Sequence, residues 1–282
     1  MIDLEAGAWR ARLAPEIGGA VWSLDHAGRP VLRPTPQGAA DPLETACFPL
    51  VPYANRIDQG RFVFDGRRFD VGATPGFEPH ALHGVGWRAP WRIEATGTDH
   101  AVLSLSHPGD SRWPWAFAAK QRFSLDEQGL TIALTLLNRS ETSAPGGLGL
   151  HPYFHRVSGA RLRLKADQVW LSDETLLPRR LASSSALVDW SAGQAVETAP
   201  FVDNAYEGWD GRAEIRDETG GAVLAAQGVE RVHVYAPPGR DFVCIEPVSH
   251  RPDALNAPDG AAAGLRVLAP GDQISLTMTI GV

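Results

Sequence analysis

Short runs in which hydrophobic and polar residues alternate recur along this chain, and they predict β-strands. In the segment 130–138, Ile132, Leu134 and Leu136 alternate with threonine and alanine. A period of two places such residues on one face of a strand. The segment 118–125 precedes it, and Asp126–Gly129 joins the two, so this region predicts a β-hairpin.

Two further hairpins are predicted, around residues 65–66 and 218–221. In the first, the Asp65-Gly66 pair tolerates the positive φ angles of a tight turn, and Phe62 and Phe64 share a face of the preceding strand. In the second, the flanking strands are 212–216 and 222–226. Similar short runs occur at 102–106, 161–165, 232–235, 242–246 and 274–280.

The spacing of these runs favours an all-β fold. No segment keeps a helical period over three turns, and 22 prolines and 29 glycines separate the strands. We therefore expect a sandwich or barrel with long loops over one mouth. Two small-residue segments, 183–200 and 257–264, are expected to be surface excursions. With no obvious linker, residues 1–282 are expected to form a single domain.

Composition narrows the classes of partner. The net charge of -7 argues against nucleic acid and anionic membranes, although a local basic pocket could override this average for a small anion. Cys47 and Cys244 are too few for a disulfide scaffold and are expected to be reduced. Without a visible signal sequence or an apolar run of membrane-spanning length, we expect a cytoplasmic protein.

Two proton-transfer residues, His151 and Glu246, each precede a proline. A residue before proline is pushed into extended geometry, which limits how its side chain can point. An imidazole and a carboxylate together can move two protons at once. Alternatively, both residues simply end strands and face solvent. His155 shares a face with His151 but is expected to lie too far away to act jointly with it.

Three other segments offer polar groups for a ligand. Asn55-Arg56 presents several hydrogen-bond donors, but the pair also fits an ordinary turn. His83 could donate to a ligand beside a Trp87 or Trp91 platform, whereas a metal site with His80 would need a helix that Pro79 and two glycines disfavour. Asp203 could accept from hydroxyls or form an Asx turn. Nucleotide-binding loops and the hydrolase elbow are absent from the sequence.

Taken together, these segments resemble the aldose 1-epimerase (galactose mutarotase) family in order and spacing, over nearly the whole chain. The His151-Pro-Tyr-Phe and Glu246-Pro elements are the most specific parts. The resemblance implies a large antiparallel β-sandwich of the galactose-mutarotase type. It further implies that His151 is the catalytic acid and Glu246 the catalytic base. Sugar-binding roles fall to Asn55, Arg56, His83 and Asp203, with Trp87 and His233 as further candidates.

The implied reaction interconverts the α and β anomers of a free aldose such as glucose or galactose. Glu246 takes the C1 hydroxyl proton, and protonated His151 donates to the ring oxygen, so that the ring opens and recloses. This chemistry needs neither a metal nor a redox cofactor. The expected partner is a monosaccharide, and the expected assembly is a monomer or homodimer. His233 stands where relatives often have glutamine, and Asn204 where some have histidine, which bears on sugar preference.

Three alternatives remain open. A hexose-6-phosphate mutarotase on the same fold would need a basic clamp, for which Arg88, Arg240 and Arg251 are candidates. A non-catalytic carbohydrate-binding protein would bind sugar without changing the anomerisation rate. A glycosidase would use Asp203 and Glu246 as paired carboxylates, and would leave the histidines without a role.

Overall fold

The computed structural model describes residues 1–218 and 220–282, which are dominated by strands. The strands are β1 (Ile2–Ala6), β2 (Trp9–Ala14), β3 (Ala20–His26), β4 (Arg29–Pro30), β5 (Cys47–Leu50), β6 (Arg56–Ile57), β7 (Arg61–Phe64), β8 (Arg67–Asp70), β9 (Ala81–Leu82), β10 (Arg92–Thr96), β11 (His100–His107), β12 (Phe117–Asp126), β13 (Gly129–Asn138), β14 (Ala144–Gly146), β15 (Gly149–His155), β16 (Arg161–Leu164), β17 (Gln168–Ser172), β18 (Pro178–Ser183), β19 (Gln194–Ala195), β20 (Val202–Glu207), β21 (Arg212–Asp217), β22 (Gly220–Gln227), β23 (Arg231–Ala236), β24 (Phe242–Val248), β25 (Arg266–Leu268) and β26 (Gln273–Gly281). Short 3-10 turns occupy Pro42–Glu44, Asp58–Gly60, Gly86–Arg88, Ser184–Ala186, Trp190–Ala192, Val196–Thr198, Ala254–Asn256 and Gly260–Ala263. The predicted all-β class is confirmed.

Two large antiparallel sheets form the body of the molecule. The first has the order β1-β2-β3-β5-β15-β24-β23-β20-β17-β18, with β4 paired to β3. The second has the order β10-β11-β12-β13-β26-β22-β21-β16-β19. Leu13 and Val21 of the first sheet and Leu134 and Leu276 of the second belong to one buried hydrophobic cluster. Because the two inner faces share this core, the fold is a β-sandwich.

The hairpins predicted from alternation are present. Strands β12 and β13 pair through to Asp126 and Gly129, and the alternating residues of β13, Ile132 among them, are buried. In β7, Phe62 stacks on Phe69 with 5.4 Å between ring centroids. Strands β21 and β22 also pair, although residue 219 of their predicted turn lies outside the described residues.

The expectation that 183–200 is a surface excursion is wrong at its centre. Val188, Trp190 and Val196 all belong to the main core, and the Trp190 indole donates to the Tyr206 hydroxyl at 2.9 Å. These residues follow neither strand nor helix spacing, because they sit on irregular turns, so periodicity could not reveal them. Segment 257–264 is mostly exposed as expected, apart from the buried Ala263.

Along the central strands of the first sheet, every second side chain points away from the shared core and forms the outer face of the sheet. In β15, Leu150 and Phe154 point into the shared core, so His151 lies on the opposite face. In β24, Ile245 belongs to the core, and its neighbour Glu246 therefore projects outward. Loops between β5 and β10 cover this outer face. None of the short helical turns in the described residues has the length and apolarity to cross a bilayer.

Candidate active site

A row of side chains crosses the outer face of the first sheet. Phe48 of β5 is the register partner of His151 of β15, and His233 of β23 is the partner of Glu246 of β24. The β15–β24 register sets His151 opposite Glu246. Directly opposed residues of antiparallel strands have their Cβ atoms about 5 Å apart. Sheet order therefore unites two residues that lie far apart in sequence.

His151 and Glu246 form a buried pair at the centre of this row. The distance from His151 Nε2 to Glu246 Oε1 is 3.3 Å, and the residues are only 5% and 2% exposed. Neither His151 Nδ1 nor Glu246 Oε2 has a hydrogen-bond partner among the residues that the structure describes. The alternative that both residues merely end strands and face solvent is thus wrong.

Aromatic rings hold the His151 imidazole on both sides. Phe48 and Tyr153 each stack on it with centroid distances of 4.7 Å and interplanar angles of 25° and 22°. Burial, together with the nearby charges of His233 and Arg33, lowers the pKa of His151 to about 3. Desolvation between the two rings outweighs the opposing charge of Asp203, so the neutral imidazole is favoured.

The carboxyl group of Glu246 is shifted in the opposite direction. Burial first, and then the charge of Asp203, raise its pKa well above the usual 4.5, while Arg56 opposes the shift. The two shifts favour a neutral imidazole and a protonated carboxyl group, so within the pair a proton is held preferentially by Glu246, and the pair offers one donor and one acceptor.

A two-residue ladder between β6 and β9 brings Asn55 and Arg56, at the start of β6, next to His83, which follows β9. The Asn55 backbone N–H donates to His83 Nδ1 at 3.0 Å, and the backbone N–H of His83 donates to the Asn55 backbone carbonyl at 2.9 Å. Burial, followed by the charges of His151 and Arg56, lowers the pKa of His83 well below 6.5. With Nδ1 accepting, neutral His83 carries its proton on Nε2 and acts as a donor.

Asp203 of β20 lies at the other side of the row. Its carboxylate contacts Arg56 Nη2 at 3.3 Å and His233 Nε2 at 2.5 Å. Burial alone would raise the pKa of Asp203, but the hydrogen bond from His233 and the charges of His233 and Arg56 outweigh it and lower the pKa. Asp203 is therefore an ionised hydrogen-bond acceptor rather than a turn residue.

These groups surround a cleft of about 410 Å³. Such a volume is within the range of small-molecule sites. The residues that line the cleft are Arg33, Leu43, Asn55, Arg56, Phe77, Leu82, His83, His151, Tyr153, Leu176, Phe201, Asp203, Tyr235, Arg240, Phe242 and Glu246. Six of the eight candidate site residues predicted from sequence are among them, and Trp87 and His233 are not.

The expectation that Trp87 serves as a platform for a ligand is wrong. Trp87 is 1% exposed, stacks on Phe48 with 5.5 Å between ring centroids, and forms a T-shaped pair with His83 at 5.7 Å. Trp91 is equally buried, and its indole donates to the Gly86 carbonyl. A tryptophan after a glycine-rich loop has a large apolar surface to bury, and here that surface supports the site from behind.

His233 also lies behind the cleft rather than on its wall. It is 2% exposed, donates to Asp203, and sits 3.4 Å from the Asn55 side-chain nitrogen through Nδ1. His233 is therefore too deeply buried to contact a ligand in the cleft directly. Its contacts instead connect Asp203 to Asn55, two groups that do line the cleft.

Several wall residues were missed by sequence reasoning. Arg33, Tyr235 and Phe242 lie on or beside strands of the first sheet, and Phe201 precedes β20. None stands in a recognisable motif, and only the strand order brings them together. Of the basic clamp candidates, Arg240 lines the cleft, whereas Arg88 stacks on Trp87 and Arg251 pairs with Asp259.

Metal-ligating atoms converge at one point among the described residues: His151, Cys244 and Glu246 offer ligand atoms within 4.8 Å of one another. The Cys244 thiol is fully buried, and desolvation followed by the charge of Glu246 raises its pKa well above 9. A metal would need the thiolate, which this environment disfavours. His80, which does not line the cleft, contacts Asp58 at 3.3 Å.

Comparison with known proteins agrees with this geometry. The sequence profile of the family described as Aldose 1-epimerase matches residues 2–281. The uncharacterized Escherichia coli K12 protein YphB is 28% identical over 94% of this chain and 93% of its own length, and the uncharacterized YihR of the same strain is 25% identical over 91% and 86%.

Solved structures share the fold. A crystal structure from Escherichia coli K12, assigned provisionally as an aldose 1-epimerase, superposes with a TM-score of 0.87 at 28% identity, covering 99% of this chain and 97% of the other. A galactose mutarotase-like protein from Clostridium acetobutylicum gives a TM-score of 0.85 at 19% identity, covering 99% and 93%. The sandwich type expected from the sequence is confirmed.

Proposed function

We propose a function from one established premise: this chain belongs to the aldose 1-epimerase family. We infer that it interconverts the α and β anomers of a free aldose by opening and reclosing the sugar ring. The 3.3 Å contact between His151 Nε2 and Glu246 Oε1, at the floor of a cleft of about 410 Å³, carries this proposal. The reaction needs one proton donor and one proton acceptor on the same sugar, and this pair supplies both.

In the proposed cycle, Glu246 as carboxylate takes the proton of the C1 hydroxyl while His151 donates a proton to the ring oxygen. The bond between C1 and the ring oxygen breaks, and an open-chain aldehyde forms. Rotation about the C1–C2 bond presents the other face of the carbonyl group. Ring closure then reverses the two proton transfers and yields the other anomer.

The proton count supports this cycle. Because the pKa shifts favour a proton on Glu246, one proton must move from Glu246 to His151 before the sugar reacts in the assigned sense. Hydrogen bonds from the sugar to Glu246, and the charge of Arg56, favour the carboxylate form and so promote that transfer. The opposite assignment, with His151 as base and Glu246 as acid, uses the same single proton.

The cleft walls supply complementary groups for sugar hydroxyls. Asn55, Arg56 and His83 offer donors, and Asp203 offers an ionised acceptor. We assign them to substrate binding, and we assign His233 and Trp87 to supporting roles behind Asp203 and His83. The proposed partner is a monosaccharide in solution.

Polarimetry tests this proposal directly. Freshly dissolved α-glucose and α-galactose should reach anomeric equilibrium faster with the protein than without it. A carbohydrate-binding protein without catalysis would bind these sugars and leave the rate unchanged. The buried acid/base pair favours catalysis, because binding alone gains little from two desolvated proton-transfer groups.

A further inference from the structure

His250 is a buried residue that the proposed reaction does not use. It is 2% exposed and follows β24, the strand that carries Glu246. It does not line the cleft. Burying a polar ring is costly unless its nitrogens form hydrogen bonds. The partners of the two ring nitrogens therefore indicate what this residue does.

The two nitrogens of His250 have opposite roles. Nε2 accepts a hydrogen bond from the backbone N–H of Ala54 at 3.1 Å, and Nδ1 lies 2.9 Å from the backbone carbonyl oxygen of Arg251. Because a carbonyl oxygen can only accept, Nδ1 carries the proton and Nε2 is free of one. Burial lowers the pKa of His250 to about 4; the hydrogen bond to Arg251 opposes this shift, and the charge of Arg231 adds to it. The ring is therefore neutral near pH 7.

The hydrogen bond to Ala54 fixes the chain immediately before two groups on the cleft wall. Asn55 and Arg56 follow Ala54, and both line the cleft. Asn55 has φ +59, in the left-handed region that residues other than glycine seldom adopt. Such a conformation costs about 1 kcal/mol and persists only where the surrounding contacts hold it. The direction of the Asn55 and Arg56 side chains thus depends on how the flanking backbone is held.

A second residue that follows β24 holds the same segment further along. The backbone N–H of Asp253 donates to the Arg56 carbonyl at 2.7 Å, and the Asp253 carboxylate accepts from the backbone N–H of Asp58 at 2.9 Å. We call residues 54–58 the binding segment. Three hydrogen bonds from His250 and Asp253 therefore hold the backbone of the binding segment.

His250 also packs against the chain that leads into β15. A Cβ added at Gly147 would lie 2.2 Å from His250 Cδ2 and 2.4 Å from Nε2, so only glycine lets the ring approach this closely. Next to it, the Ser249 N–H donates to the Leu148 carbonyl at 2.8 Å, and the Leu148 N–H donates to Ser249 Oγ at 2.9 Å. His250 thus lies where the chain entering β15, the chain leaving β24 and the binding segment meet.

We propose that His250 is a positioning residue for sugar binding: it holds the Ala54 N–H and thereby sets the direction in which Asn55 and Arg56 face the cleft. This inference rests on the proposed function, because it takes Asn55 and Arg56 as sugar-binding groups. His250 touches neither the sugar nor a reacting atom. Its loss should therefore weaken sugar binding more than it slows proton transfer.

The kinetic test compares two variants that carry the same amide group at different lengths. In His250→Gln, the side-chain oxygen can lie near the position of Nε2 and accept from Ala54, whereas in His250→Asn the side chain is too short to do so. KM for the aldose that is turned over fastest should rise about tenfold in His250→Asn, with a smaller change in kcat, as expected for the loss of one buried hydrogen bond. His250→Gln should recover most of the affinity. Equal KM values in the two variants would overturn the inference.

A second pair of variants tests the same role with His250 in place. Gly147→Ala presses on the ring and should raise KM severalfold, again with a smaller change in kcat. Gly146→Ala is the matched control, because its added Cβ meets only side-chain atoms, the nearest at 2.8 Å in Leu268. Neither glycine has a positive φ. The same KM in both variants would contradict the positioning role, and this pair decides the matter if the His250 variants fail to fold.

Amide hydrogen exchange separates this inference from the proposed function, because it needs no sugar. In His250→Asn, exchange should become faster at Ala54 and also at Asn55, whose N–H donates to His83 within the same arrangement. In His250→Gln, both amides should exchange at nearly the wild-type rate. Faster exchange at both amides in His250→Asn supports the positioning role even if no aldose is turned over. Faster exchange confined to Ala54 overturns it even if aldoses are turned over rapidly.

Discussion

His151 and Glu246 face each other across the β15–β24 strand pair, with Nε2 of one 3.3 Å from Oε1 of the other. Within the described part of the chain, each also has a buried polar atom without a hydrogen-bond partner, Nδ1 of His151 and Oε2 of Glu246. Unsatisfied buried polar atoms are rare in native proteins and call for an explanation. A sugar whose hydroxyl and ring oxygen bind at this point would supply that explanation.

The pH dependence of catalysis should show a broad plateau. Below a pKa of about 3 the pair gains a second proton and has no base, and above the raised pKa of Glu246 it loses its only proton and has no acid. The profile of kcat/KM, corrected for the uncatalysed reaction, should therefore fall at low pH with an inflection near 3 and fall again at high pH through the raised pKa of Glu246. An acid limb with an inflection near 6.5 would show instead that His151 titrates as an ordinary exposed imidazole.

The burial of Glu246 should make the stability of the fold depend on pH. Its pKa is raised in the folded chain, so its stabilising contribution is complete below the unfolded value of 4.5 and is lost as pH rises through the folded value. Glu246→Gln cannot ionise. As pH rises above about 4.5, the free energy of unfolding of the wild type should fall relative to that of the variant, by about 1.4 kcal/mol per pH unit until the folded pKa is passed, and its Tm should fall with it. A Tm difference independent of pH would contradict the shift.

Removing the His233 side chain should weaken sugar binding more than it slows the chemical step. His233→Ala takes away the donor at 2.5 Å from Asp203, so KM should rise about tenfold while kcat changes less. Burial then dominates the pKa of Asp203 and raises it, and KM should increase further as pH falls. His233→Gln keeps a donor and should recover much of the affinity. A uniform loss of kcat in both variants would point to general damage to the fold.

The loop that carries His83 should depend on Gly84. Gly84 has φ +74, and an added Cβ would lie 2.4 Å from the Val51 carbonyl oxygen. Gly72 has φ +73 with nothing within 4 Å of an added Cβ, so it is a matched control for backbone strain alone. Gly84→Ala should cost about 2 kcal/mol more stability than Gly72→Ala, measured by denaturant unfolding, and should raise KM. Equal losses would mean that the loop adapts to the extra atom.

The fold was predictable where hydrophobic residues alternate strictly. Strands β12 and β13 form a hairpin with one face buried, and the buried residues of β13 are Ile132, Leu134 and Leu136, which alternate with polar or small residues in the sequence. The core role of Trp190 was not predictable, because that residue packs from an irregular turn. The order of strands in the sheets was equally hidden, since pairings such as β15 with β5 join distant segments.

The site was predictable where local sequence restricts the backbone. His151, Glu246, Asn55 and Arg56 stand in distinct motifs, and the structure brings them together. Arg33 follows an ordinary strand with no accompanying signal, so only the fold could reveal that it lines the cleft. The protonation of the pair was also beyond sequence, because it depends on the rings of Phe48 and Tyr153 and the resulting desolvation.

The most direct test of the account is the mutarotation rate of the aldose that the protein turns over fastest, measured by polarimetry after dissolving one pure anomer. His151→Ala and Glu246→Gln should each lower the catalysed rate at least about a hundredfold, because each removes one of the two proton-transfer groups. His155→Ala, on the same strand but away from the cleft, should retain the wild-type rate. A wild-type rate in either His151→Ala or Glu246→Gln would contradict the assignment of catalysis to this pair.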